Sequence, residues 1–190
     1  MRVAVVGPTN IAAVATSANL DPEEYVRVAR QAGAQLAARG YELLVVPDRG
    51  VAVCAAEAYR EAHGPRLIGL FPRGGNGVVD ANIIRLDEHR HLCDEAIDSL
   101  TWAEQHPTLC ALADILLVIG LSCGTMGELV WTKWTRTPAV VIQPLISGLP
   151  PEVLAEAHIH FVPDLASFFA LAPRLTGNRR GQLERGPNGV

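Results

Sequence analysis

Short apolar runs alternate with amphipathic stretches along most of the chain. Arg2–Gly7, Tyr41–Pro47, Arg66–Phe71, Ala113–Gly120 and Ala139–Gln143 are rich in Val, Leu and Ile without strict alternation, and His158–Val162 closes the series. Such runs predict strands buried on both faces of a parallel sheet. Between the first two, Tyr25, Val28, Ala29, Ala32 and Leu36 recur at helical spacing. Asp21 is placed to cap that helix, Pro22 takes its first position, Glu23 and Glu24 charge its first turn, and Gly40 ends it. Further helices are predicted over Val51–Ala62, around Asp87–Ile97, and over Thr108–Ala113, Thr125–Thr135 and Asp164–Leu171. This strand–helix repetition predicts an α/β fold, Rossmann-like and doubly wound. Its mainly parallel sheet would have about six or seven strands, with helices on both faces. One domain is expected over 1–172. From 173 to 190, where Thr176–Val190 has no apolar face, a mobile tail is expected. Ligands in this architecture sit beyond the carboxyl ends of strands, so chemistry is sought in the loops after Gly7, Pro47, Phe71 and Gly120.

Composition narrows the class. With 49% hydrophobic and 19% charged residues, the chain is not a disordered acidic or basic segment. A net charge of −4 leads to the expectation of no nucleic-acid partner. The longest strongly apolar run, Ile115–Ile119, is far short of the ~20 residues that cross a bilayer, so no membrane partner is expected. The apolar start is cut by Gly7-Pro8 too early for a secretory leader, which predicts a cytoplasmic protein with reduced thiols. The four cysteines, Cys54, Cys93, Cys110 and Cys123, include no C-x-x-C pair, so no zinc or redox framework is read.

Candidate chemistry concentrates where the Ala113–Gly120 run enters Leu121-Ser122-Cys123-Gly124-Thr125 and a helix follows. Free N–H groups in a first helical turn, with the helix dipole behind them, make an anion site suited to phosphate. Gly124 admits close backbone approach, and Ser122 and Thr125 add hydroxyls. A tight turn without a ligand is the plain alternative. Thr125-x-x-Glu128 also matches a capping box, so Glu128 is a cap, a functional carboxylate, or both. Cys123 precedes a helix, where a thiol pKa can fall, but without a fixed base it reads as a small loop residue. His89, His91, His158 and His160 lack carboxylate or cysteine partners at ligand spacing and read as solvated or strand-face residues; no metal is expected. His106 is the histidine placed to donate to a phosphate. Trp131 and Trp134, three apart on one helix, read first as core, with base stacking or a subunit contact as alternatives. Gly74-Gly75-Asn76-Gly77 is a lid or a plain turn, and Asp48 and Arg49 either touch ribose and phosphate or pair with each other.

These residues also carry a family resemblance. A strand, then P-G-G-x-G-T-x-x-E, then a helix marks Lonely Guy (LOG)-type phosphoribohydrolases, once labelled lysine decarboxylases, and their wider Rossmann nucleotide-binding superfamily. Gly120-Leu121-Ser122-Cys123-Gly124-Thr125-Met126-Gly127-Glu128 resembles it, as a divergent member. The likeness extends to Gly7-Pro8-Thr9-Asn10, Ala37–Val46 and Pro138–Ile142, and covers residues 1–172. It implies a nucleotide-like phosphorylated ligand held by Gly7, Thr9, Asn10, Ser122, Cys123, Gly124 and Thr125, a catalytic role for Glu128, and a homodimer. Gln105 stands where the enzymes carry a catalytic Arg, and an amide lacks that charge and bidentate fork. Two functions stay open: a carrier, sensor or low-activity enzyme that binds the ligand, or a hydrolase of nucleoside 5′-monophosphates using Glu128 and position 105. No cofactor is named by the sequence. A dinucleotide oxidoreductase is a weaker third class, because no G-x-G-x-x-G follows the first strand.

Overall fold

A computed structural model describes residues 1–73 and 86–184. Seven parallel strands form one sheet: β1 (Arg2–Val6), β2 (Glu42–Val45), β3 (Leu67–Leu70), β4 (Glu95–Ile97), β5 (Ile115–Val118), β6 (Ala139–Ile142) and β7 (Ile159–Val162). Their order is β4-β3-β2-β1-β5-β6-β7. The chain therefore winds outward on one side of β1 as far as β4, then crosses back to β5 and winds outward on the other side. The crevice between the carboxyl ends of β1 and β5 is the topological switch point, where such sheets bind ligands.

The helices are α1 (Ile11–Ala18), α2 (Pro22–Ala38), α3 (Val51–Glu61), α4 (Gln105–Leu112), α5 (Cys123–Thr135), α6 (Pro151–Glu156) and α7 (Leu165–Glu184). Alternate strand residues feed two cores. Val3, Val5, Leu43, Val45, Ile115 and Leu117 pack on one face of the sheet with α2, α3 and α7. Ala4, Val6, Leu44, Leu116 and Val118 pack on the other, with α4 and α5. The Asp21 side chain accepts from Glu23 N–H at 2.9 Å, and Tyr25, Val28, Ala29, Ala32 and Leu36 form the buried face of α2, as its periodicity predicts.

Four elements differ from expectation. The helix predicted around Asp87–Ile97 is a 3-10 turn over Leu86–Leu92 followed by β4. Three residues beginning with a half-buried Glu do not make an apolar run, and Leu67 N–H bonded to Asp94 at 2.8 Å sets their register. The short helices α1 and α6 were not predicted, since both are too brief for an extended stripe. The helix expected to end at Leu171 continues through Pro173 to Glu184, because Ala172, buried, and Leu175 prolong its apolar face. The candidate lid, Gly74 to Gly77, lies outside the described residues, as do 185–190. No helix among the described residues is long and apolar enough to cross a membrane.

Candidate functional site

A cavity of about 500 Å³ opens at the switch point. Gly7 and Thr9 line it from the loop after β1, and Asp48 and Arg49 from the loop after β2. Trp102, Gln105 and His106 face it from the approach to α4, and Ser122, Cys123, Gly124, Thr125 and Glu128 from α5 and its entry. The fold thus brings together every predicted site residue except Asn10. Asn10, expected at the site from the resemblance of the Gly7–Asn10 loop, instead accepts from Ala13 N–H at 3.2 Å and caps α1.

Gly7 is required by close approach: a Cβ there would lie 2.4 Å from the Ile119 carbonyl oxygen and 2.8 Å from Val51 Cβ. Its absence lets the ends of β1 and β5 meet the start of α3. At the amino end of α5, Ser122 is the N-cap, its Oγ accepting from Thr125 N–H at 3.2 Å. Ser122 O accepts from Met126 N–H at 2.9 Å. The N–H groups of Cys123 and Gly124 precede these bonds and are the first-turn donors left over, which with the dipole of a thirteen-residue helix favour an anion.

That geometry corrects the capping-box reading of Glu128. Thr125, not Glu128, occupies the third helical position after Ser122, so the carboxylate is one turn too far along to reach the cap. The capping-box Glu of this region is Glu104, which accepts from Thr101 N–H at 2.7 Å and holds the Trp102–Glu104 turn ahead of α4. Glu128 is instead 7% exposed on the cavity wall, with His106 Nδ1 at 3.7 Å from its Oε1. Burial pushes its carboxyl above the usual carboxylate range, and the imidazole opposes that only in part. A raised acid favours folding at low pH and loses that contribution as pH rises through the folded value. Replacing Glu128 by Gln is therefore expected to stabilise the free protein at neutral pH. Relief of about 1 kcal/mol for one buried polar group raises Tm by about 2–4 °C in a domain this size. A melt at pH 7.5 in which Glu128→Gln is less stable than wild type contradicts this.

Gln105, 2% exposed, reaches the cavity as a neutral amide. Asp48 and Arg49 pair at 3.5 Å, and both line the cavity. Cys123 is exposed at the first helical position. Trp131 and Trp134 are not core residues, at 37% and 60% exposed, and they do not line the cavity. Thr125, Glu128, Leu129 and Thr132 take the buried side of α5, so the tryptophans face outward, 5.2 Å apart. Trp102 is the tryptophan at the cavity. His89 and His91 each bond a backbone carbonyl through Nδ1, and no group among the described residues has three side chains able to hold a metal.

Comparison with known proteins bears on fold and family. The chain is similar to the molybdenum cofactor carrier protein of Chlamydomonas reinhardtii, at 23% identity and TM-score 0.64 over 93% of this chain and 98% of that one. The molybdenum cofactor binding protein of Rippkaea orientalis shares 19% identity at TM-score 0.57, over 83% and 87% of the two chains. DNA processing protein A of Helicobacter pylori, described with a single-stranded DNA binding mode, shares 14% identity at TM-score 0.63, over 92% and 80%. That protein overturns the exclusion of nucleic acid drawn from net charge. A chain of this fold does bind single-stranded DNA, and local potential rather than total charge governs such contacts. A search of the curated proteins gives no match. The SLOG cluster4 family model matches residues 1–164, which bears out the likeness to LOG-type Rossmann proteins at the level of the superfamily. The chain belongs to the SLOG cluster4 family.

Proposed function

We propose that the protein binds a phosphorylated, nucleotide-like small molecule at the 120–125 loop and acts as a carrier or sensor of it. The observation that carries this reading is the amino end of α5, capped by Ser122 with the Cys123 and Gly124 N–H groups left over, placed on a cavity at the switch point. The cavity volume of about 500 Å³ falls within the range of small-molecule sites. Two proteins that share the fold are described as carrying or binding the molybdenum cofactor, itself a phosphate ester, which makes that cofactor a natural member of the ligand panel.

The test is a thermal-shift series with nucleoside monophosphates, dinucleotides and the molybdenum cofactor. A ligand present at a hundred times its Kd stabilises by about 2.7 kcal/mol, a shift of roughly 5–10 °C here. A panel in which no phosphorylated compound moves Tm, at millimolar concentration, ends the proposal.

Hydrolysis of a nucleoside monophosphate has one observation in its favour, a Glu128 carboxyl on the cavity wall. Gln105 weighs against it, because a neutral amide supplies no cation to the ribose or phosphate. Base release from AMP is expected to be absent in wild type, and Gln105→Arg is the gain-of-function variant. Fast turnover by the wild type contradicts the carrier reading.

A further inference from the structure

His106 occupies the second position of α4, and its imidazole lies along a part of α5 that has no side chains. A Cβ on Gly127 would stand 3.4 Å from the ring's Cδ2 and 3.5 Å from Nε2, and one on Gly124 would stand 3.9 Å from Cε1. Glycines three apart share a helix face, so this pair forms a flat track that starts at the anion-binding end of α5. Nδ1 is buried without a hydrogen bond, and Glu128 Oε1 lies 3.7 Å away. Glu128, 7% exposed, lines the cavity wall: its backbone carbonyl accepts from Cys110 Sγ at 3.3 Å, and its carboxylate has the His106 imidazole as its ion-pair neighbour.

A ligand phosphate and the Glu128 carboxylate are like charges in one small, partly dry space, where repulsion is strong unless a cation stands between them. Gln105 is neutral; Arg49, 3.5 Å from Asp48, is a second cation on the cavity, and His106 is the basic side chain within 4 Å of the Glu128 carboxylate. We propose that His106 is the cation beside the amino end of α5: as imidazolium held by Glu128, it contacts the ligand's phosphate monoester beside the Cys123 and Gly124 N–H groups, so that anion and proton bind together. This rests on the anion-binding reading above. The other titratable or charged groups on the cavity are Asp48 and Arg49 after β2 and Cys123 on α5; among the described residues, Glu128 is the carboxylate within ion-pair distance of His106. The contact requires the ring to carry its proton, so its contribution to affinity is greatest at the acid end of the pH range.

Titration calorimetry of the full chain with AMP and with inorganic phosphate, from about pH 6 to 8.5 in buffers of different ionisation enthalpy, tests this. Wild type is expected to take up more protons than the phosphate's own ionisation accounts for. His106→Gln should lose that excess and bind about tenfold more weakly near pH 6.5, converging on wild type near pH 8.5. His106→Arg, a permanent cation, should keep the affinity and hold it to high pH. No excess proton uptake by wild type, or a folded His106→Gln with unchanged affinity, overturns the assignment while leaving anion binding intact. Failure of both probes to bind wild type overturns the assignment together with the reading it rests on.

Discussion

Replacing Gly33 by valine is expected to destabilise the protein by at least about 3 kcal/mol, a large part of the 5–15 kcal/mol that holds a typical domain together. Gly33 lies on the buried face of α2, and a Cβ there would sit 2.0 Å from the Ala55 carbonyl oxygen and 3.0 Å from Tyr59 N. Those atoms are backbone of α3, so no rotamer change relieves the contact and the two helices must separate. Separation opens an interface built from small residues, Ala29 and Ala32 on α2 and Ala52, Ala55 and Ala56 on α3, all buried. It also loosens the site. Val51 N–H, at the first position of α3, donates to Pro8 O at 3.2 Å, which ties α3 to the loop after β1. Urea unfolding measures the effect as a lowered midpoint. A midpoint within error of wild type contradicts the described packing.

Gly124→Trp is expected to do the reverse: remove ligand binding and leave the fold intact. Around Gly124 a Cβ meets only Ser122 Oγ at 3.8 Å and His106 Cε1 at 3.9 Å, both ordinary contacts, and the position is exposed. A side chain is therefore accommodated, and loss of a helical glycine stabilises by up to about 1 kcal/mol. An indole beginning there fills the space in front of the Cys123 and Gly124 N–H groups. Affinity for the best phosphorylated ligand should fall at least a hundredfold, about 2.7 kcal/mol, with Tm unchanged or higher. Unchanged affinity in this variant places the anion elsewhere.

The sheet was legible because buried parallel strands leave β-branched runs, as Val3–Val6 and Ile115–Ile119 do. Strand β4 was not, since an edge strand of Glu95, Ala96 and Ile97 buries too little to need an apolar pattern. The anion loop was legible because strand, Gly/Ser turn and helix follow one another in sequence. Glu128 was ambiguous for a local reason: Thr125-x-x-Glu128 fits a capping box with Thr125 as the cap, and only the backbone shows that the cap is Ser122 and that α5 starts at Cys123, two residues before Thr125. Asp48 and Arg49 were legible as candidates from their place just after β2, whereas Trp102 reaches the cavity through the order of strands, which no local pattern reveals. The exposed tryptophans defeated the rule that large apolar residues are buried, a rule that runs in one direction only.

We place the ligand phosphate on the amino end of α5. At 20.3 kDa the protein suits amide-resolved NMR, and the measurement is a titration of labelled wild type with the tightest phosphorylated ligand and, separately, with its dephosphorylated form. The largest amide shifts are expected at Cys123 and Gly124 with the phosphorylated compound, and those shifts are lost with the other. Equal shifts from both compounds, or shifts that spare Cys123 and Gly124 and concentrate elsewhere, contradict it.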